Sequence, residues 1–499
     1  MDASRIPVIV GVGQVEDRTD DPFAALDPVA LMVDALRQAD ADGGGGWLRD
    51  LDSLAVVDQL SFPALNPVVD AVATALDIAP AHRMQTAMPM SDSPIRLLDE
   101  AANRIAAGES LAAAVVGGEA LRTAARRAAA GGDAGHNAMR RRHAGRTPGY
   151  RQQYGLVAPV DVYPLYENAT RAAWRQTLAQ GQAESGAMWA RFSAVAAANP
   201  HAWLRTRRDA EAIVTPSADN RPIAFPYLKL MVANSSVNQG AGFIVTSLAE
   251  ARRRGVAESR LVFVGRGAAA HEPDDVLARD GFAASAGMRV SLEQALLANG
   301  LTVDDIDHAE LYSCFPCVPK MATRVIGWPV DRPASVVGGL TFGGGPIGNY
   351  MSHAVAAMVE RLRDDGHHGL LFGNGGFATH NHSIVVSREP LPGADLPHDF
   401  DRQALADTMR GAVPPVDEDY RGGGTIETYT VLYARDGSPS AGVIVARNDA
   451  GNRFLARVPA NDPAGITFLT DGRVEPVGTC GTARRGPDGL AAWDFGSAG

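Results

Sequence analysis

Cysteine is nearly absent: Cys314, Cys317 and Cys480 are the only three in 499 residues. So few thiols cannot staple a chain of this length, which excludes a disulfide framework and fits a reducing compartment, expected here to be the cytoplasm. Positive charge is also in deficit, with 46 Lys and Arg against 57 Asp and Glu and a formal charge of -11. That balance gives no reason to expect nucleic acid or an anionic lipid surface as a partner. No apolar run reaches the about 20 residues needed to span a bilayer, so membrane insertion is not expected. The N-terminal MDASRIPVIVGVGQ has neither the apolar core of a signal peptide nor a cleavage site after it. What is present, 46% hydrophobic and 21% charged residues, is ordinary globular usage. The length exceeds what one hydrophobic core supports, so two or three structural units are expected.

PVIVGVG at 7–13 reads as a buried strand, and residues 27–39 place Val29, Met32, Val33, Leu36 and Ala39 at helical spacing. Pro94 opens a second helix, with Ile95, Leu98, Ala101, Ala102 and Ile105 on one face and Gly108 past its end, before the strand LAAAVVGG. From about 120 to 225 the texture changes to a basic, Gly-rich run and then a helical stretch around Tyr163 to Ala197, the pattern of an inserted loop subdomain. Its arginines, Arg140 to Arg142 among them, are either an anion contact or a solvated face. The strand-helix alternation resumes at GAGFIVTSLAEARRRG and continues through a helix at 283–299, the strand HAELYSCF, the long helix NYMSHAVAAMVERLR and the strands GLLFGNGG and IVVS. Two α/β halves of similar make-up, 1–250 and 251–390, imply a duplicated architecture. After a linker at 391–424 with one short helix, TIETYTVLYAR, AGVIVARN, RFLARVPA and ITFLT alternate apolar and polar residues between turns. That spacing predicts a small antiparallel β-barrel of OB type over 425–499, with packing or partner binding as its role.

Five glycine-rich segments stand out: VVGGEALRT at 115–123, NSSVNQGAG at 234–242, ELYSCF at 310–315, GGLTFGGGPIGNY at 338–350 and GNGGF at 373–377. Each alone is a strand-end turn. In this order within the first 390 residues they resemble the GGxE, N-[AS]-S-G-x-N-D-G, E-x-HDCF, GGL-x-x-x-GHPLG and GxGG segments of sterol-carrier-protein-type thiolases. With the extra C-terminal module, the layout resembles the thiolase-like proteins of type 1. The resemblance implies a layered αβαβα thiolase core and a substrate carried as a coenzyme A thioester, with acyl-CoA or CoA as the partner and no separate cofactor. It also implies CoA contacts at Ser235, Ser236, Asn238, Gly344, Gly345, Gly375 and Gly376. Oligomeric state is expected to be monomer or homodimer, with the extra domain able to cover the surface that thiolases use to dimerise.

Thiolase chemistry needs a thiolate at a helix N-terminus, a general base and oxyanion donors. The nucleophilic position falls near Ser91 in MSDSP, where no cysteine is present. A helix dipole contributes only about 1 kcal/mol, too little to activate a serine without a dedicated base, so Ser91 or Ser93 also reads as a helix N-cap. Gly345 stands where the GHP histidine is expected, and His353, about 12 Å further along a helix, is the substitute. Tyr312 and Ser313 replace His and Asp, while Cys314 remains as the most reactive residue expected, or else as a small buried hydrophobe. His380 and His382, two apart on a strand, and the CxxC at 314–317 lack further ligands at metal spacing, so no metal is expected. GVGQVED at 11–17 lacks the third glycine of a dinucleotide fingerprint. The chain is therefore read as an acyl-CoA acyltransferase of lipid metabolism, acetyl-CoA acetyltransferase-like, with an altered site at Cys314, His353 and Ser91. The alternative is a catalytically silent protein that holds acyl-CoA or a partner in the same cleft.

Overall fold

The computed structural model describes residues 2–131, 148–392 and 395–496. Arg140 to Arg142 lie outside them. The first half contributes β1 (Pro7–Glu16), α1 (Pro28–Asp42), β2 (Ser53–Val56), α2 (Val69–Ala75), β3 (His82–Gln85), α3 (Ser93–Ala107) and β4 (Ala112–Ala120). The inserted subdomain follows with α4 (Leu121–Ala129), α5 (Pro159–Ala173), α6 (Leu178–Ala198) and the short β5 (Pro222–Ala224) and β6 (Tyr227–Leu228), after which β7 (Asn238–Ser247) closes the half. The second half runs β8 (Val262–His271), α7 (Ala286–Ala298), β9 (His308–Glu310), α8 (Cys317–Ile326), α9 (Tyr350–Asp364), β10 (His368–Gly375) and β11 (His380–Ser387).

Strand order exposes the duplication: β3-β2-β4-β7-β1-β8-β11-β10-β9. Outward from the centre, β1 meets β7 and β7 meets β4 antiparallel, while β4, β2 and β3 are parallel. The second half repeats this, with β8 to β11 and β11 to β10 antiparallel and β10 to β9 parallel, and has no counterpart of β3 among the described residues. β1 and β8 join the halves through Val8 opposite Phe263 and Ile9 opposite Val262. Helices α3 and α9 pack on each other and on strands of both halves, forming the inner layer, whereas α1 and α7 cover the outer faces. The buried positions of α3, among them Ile95, Leu98, Ala102 and Ile105, are those its spacing predicts, and Gly108 ends it at φ 77°. The N-cap, however, is Asp92 rather than Ser91 or Ser93, and it makes no side-chain capping bond.

Past the linker helix α10 (Gln403–Met409), the last module is a closed barrel of β12 (Gly422–Tyr433), β13 (Pro439–Arg447), β14 (Arg453–Pro459), β15 (Cys480–Arg485) and β16 (Ala491–Asp494). β12 pairs with both β13 and β15, so the circuit runs first, second, third, fifth, fourth and back to first strand, which is OB order. It is not wholly antiparallel, because β14 and β16 run parallel. ITFLT, expected as a strand, lies in helix α11 (Pro463–Thr470) between the third and fourth strands. Asp462 accepts from the Gly465 amide at 2.9 Å and Pro463 opens the first turn, so local capping outweighs a five-residue alternation. The barrel seats on the inserted subdomain: Leu432 of β12 pairs with Ala224 of β5, Asn168 of α5 donates to the Tyr429 carbonyl at 2.8 Å, and Thr428 donates to the Leu165 carbonyl at 2.6 Å.

Candidate active site

The five glycine-rich segments converge where the N-termini of α3 and α9 meet. Ser91, half-buried, donates from Oγ to the Ile347 carbonyl just before α9 at 3.2 Å. Tyr312 bonds Ser91 as well. Gly375, at the end of β10, approaches so closely that a Cβ there would lie 3.2 Å from both the Ser91 amide nitrogen and Asp92 Oδ1. The glycine loops are also sewn to one another. Asn234 donates its amide to the Leu340 carbonyl at 3.0 Å, the Gly345 amide donates to the Asn234 carbonyl at 2.8 Å, and the Ala233 amide donates to the Cys314 carbonyl at 3.0 Å. Leu340 in turn donates its amide to Ser313 Oγ at 3.1 Å. Gly117 in the first segment faces Asn349, whose Nδ2 donates to the Gly117 carbonyl at 2.6 Å. Gly344, at φ 106°, leaves room for Gln239, whose Oε1 stands 2.1 Å from where a Cβ would sit.

Of the residues expected to do chemistry, Ser91 is the one at the meeting point of the helices. Cys314 is buried in an aromatic wall, 7% exposed and beside the Tyr163 hydroxyl. Burial pushes its thiol up to about 12, and the Tyr163 hydrogen bond offsets this only in part. Phe315 next to it stacks on Tyr163 at 4.5 Å and on Tyr227 at 5.7 Å. His353 faces away from the cleft towards β1: its Nδ1 lies 3.0 Å from Gln14 Oε1, and burial lowers its pKa to about 3. It is neutral at pH 7.

The expected CoA contacts divide in two. Ser235 and Ser236 are exposed on the loop before β7, and Gly376 is exposed at φ 67°. Asn238 is buried and committed, accepting from the Thr123 amide at 3.0 Å and donating to the Asp17 carbonyl at 3.1 Å. Gly344, Gly345 and Gly375 shape the backbone as described. His380 sits edge-on against His271 at 4.7 Å, and His382 is bonded to Asp99 at 3.0 Å. Among the described residues no group of three or more His, Cys, Asp or Glu is arranged to hold a metal ion.

Four residues around the site escaped sequence reasoning. Asp92 is buried with Oδ1 unpartnered, its aspartate hidden inside what read as a serine cap. Tyr163 reaches over from the inserted subdomain, its hydroxyl donating to Asn374 Oδ1 at 3.1 Å and accepting from the Ala378 amide at 2.9 Å. Tyr166 donates to the Phe377 carbonyl at 2.9 Å. No signal in local sequence links a helix at 159–173 to a loop at 373–378. Glu310 is buried with Tyr350 and Ser335 hydroxyls donating to it at 2.9 and 2.7 Å, and burial raises its carboxyl to about 7. It holds the turn into Tyr312 in place.

Duplicated α/β halves, paired inner helices whose N-termini face glycine loops, and an inserted helical subdomain define a protein of the thiolase superfamily. Human mitochondrial 3-ketoacyl-CoA thiolase in complex with CoA shares the fold, at 12% identity over 78% of this chain and 99% of that one, with a TM-score of 0.57. So does the Ltp2-ChsH2(DUF35) aldolase, at 18% identity over 78% of this chain and 100% of that one, with a TM-score of 0.59. More specifically, the chain belongs to the SCP2-thiolase-like proteins of type 1. A monomeric SCP2-thiolase-like protein type 1 from Mycobacterium smegmatis is 32% identical over 98% of this chain and 99% of that one, with a TM-score of 0.82. Residues 405–486 match the thiolase-like protein type 1 additional C-terminal domain. No curated protein matches the sequence.

Proposed function

We propose that this protein holds an acyl-CoA thioester in the thiolase cleft and forms no acyl-enzyme on a cysteine. The observation that carries this is the separation of thiol from helix terminus: Ser91 occupies the meeting of α3 and α9, and Cys314 is buried with its pKa at about 12. At pH 7 the thiol is then held in its protonated form, whereas thioester attack requires the thiolate. The start of α3 contributes its dipole rather than free donors, because Ser93 and Ile95 already donate to the Met90 and Asp92 carbonyls and Pro94 has no N–H, while the unpartnered Asp92 Oδ1 offers an acceptor. Ser235, Ser236 and Gly376, exposed at the glycine loops, are the contacts assigned to the pantetheine arm in this reading. A thiolase relative that binds CoA supports the choice of ligand, and the monomeric M. smegmatis relative supports a monomer in solution. Its setting is acyl-CoA metabolism in the cytoplasm.

A second reading, acyl transfer through Ser91, has one observation in its favour, the half-buried Oγ at the N-terminus of a 15-residue helix. Isotope exchange between acetyl-CoA and labelled CoA separates the two. Saturable CoA binding without exchange is the expected result. Exchange that disappears in Ser91→Ala would establish the transferase.

A further inference from the structure

Away from the cleft, the junction between α5, the start of α6 and the barrel encloses a cavity of about 270 Å³. Its walls carry Arg171, Arg175 and Arg473 against a single carboxylate, Glu475, and the N-terminus of the 21-residue helix α6 opens into it at Thr177. Glu475 takes both terminal nitrogens of Arg171, leaving Nε buried and without a partner in a side chain that is only 3% exposed. Arg175 is exposed, held at φ 57°, and its side chain makes no hydrogen bond or ion pair among the described residues. Arg473 reaches Asp471 only at 3.6 Å and is 86% exposed, so that pair neutralises little. At the helix terminus, Thr177 Oγ1 caps the Gln180 amide, leaving the Leu178 and Ala179 amides as free donors. Gln176 adds the complementary group: its Nε2 donates to Glu184 at 2.8 Å while its Oε1 is buried and unpartnered.

We propose that this cavity binds a phosphoryl anion. The Arg175 and Arg473 guanidinium groups, the Leu178 and Ala179 amides and the orphan Arg171 Nε supply donors for its oxygens. The orphan Gln176 Oε1 accepts from a P–OH or a neighbouring hydroxyl, which an acceptor-only anion such as a halide cannot satisfy. The volume exceeds that of a single phosphate, so the natural ligand carries more than one phosphoryl group or an organic part. Bound there, it ties the inserted subdomain to the barrel. The site is independent of the thioester reading: Arg171 lies eight residues beyond Tyr163 on α5, about 12 Å from the cleft, and the buried cluster of Glu167, Tyr227 and Lys320 fills the space between.

The test is calorimetric titration of the full-length protein with inorganic pyrophosphate and with phosphate, in phosphate-free buffer with sodium chloride at matched ionic strength as the control. One saturable site is expected, with binding at least tenfold weaker in the double variant Arg175→Ala/Arg473→Ala, whose exposed side chains leave the fold unchanged. Arg171→Lys, which keeps the charge and removes Nε, is expected to weaken it as well. CoA competing for the site would assign the phosphoryl groups to a nucleotide thioester, and CoA failing to compete would assign them to a separate phosphorylated metabolite. No saturable binding of either anion, or equal binding by wild type and the double variant, would overturn the proposal.

Discussion

The N-terminus of α3 and the turn after β9 lie on the same cleft, yet they hold opposite halves of one catalytic requirement. The helix terminus offers its dipole and a partly open position but only a hydroxyl, Ser91. The turn offers a thiol, Cys314, but behind Tyr163 and Phe315 in a wall that raises its pKa to about 12. A nucleophilic thiolate needs the residue type and the environment together, and here each region has one without the other.

Moving the thiol breaks the comparison most sharply. In a Cys480→Ser background, which removes the exposed thiol, Ser91→Cys is expected to react with iodoacetamide at pH 8 about a thousandfold faster than Cys314, in proportion to thiolate fraction. Equal rates, read by peptide mass spectrometry, would show that Cys314 is not sealed.

Next in size is Gly344→Ala. Its φ of 106° and the Gln239 oxygen 2.1 Å from the new Cβ predict a loss of about 3 kcal/mol in denaturant unfolding, together with weaker CoA binding. Unchanged stability would mean that the glycine loop is not fixed by that contact. Tyr163→Phe strands the buried Ala378 amide and one Asn374 oxygen bond, a cost of about 1–3 kcal/mol. The same change is expected to raise the alkylation rate of Cys314, because the wall loosens.

The smallest effect is in pH dependence. His353 has its pKa lowered from 6.5 to about 3, so its contribution to stability is present above pH 6.5 and is lost as pH falls towards 3. Glu310, raised from 4.5 to about 7, acts in the other direction: its contribution is present below pH 4.5 and is lost as pH rises through 7. Thermal melts of His353→Gln should therefore flatten the acid side of the profile and those of Glu310→Gln the interval from pH 4.5 to 7. Parallel profiles for wild type and both variants would refute the assignment.

The glycine segments carried the fold because close backbone approach leaves a residue-type mark: Gly117 against Asn349 and Gly344 against Gln239 accept no side chain. Burial leaves no such mark on a lone cysteine, so Cys314 read equally as reactive thiol and as packing. Asp92 was hidden by its serine neighbours, and Tyr163 by the roughly 150 residues separating it from Cys314, a distance only the tertiary fold closes. ITFLT was misread because five residues are too few for alternation to outweigh the Asp462 cap and Pro463. Barrel closure, made by β12 pairing on both edges, is a long-range fact that strand spacing suggested and strand pairing settled.

The central claim is that the cleft binds a CoA thioester without taking its acyl group. Calorimetric titration of acetyl-CoA, a longer acyl-CoA and free CoA, with intact mass read after each incubation, tests it most directly. Saturable binding with an unchanged protein mass is the predicted result. An acyl adduct on the protein, or no binding of any of the three, would contradict it.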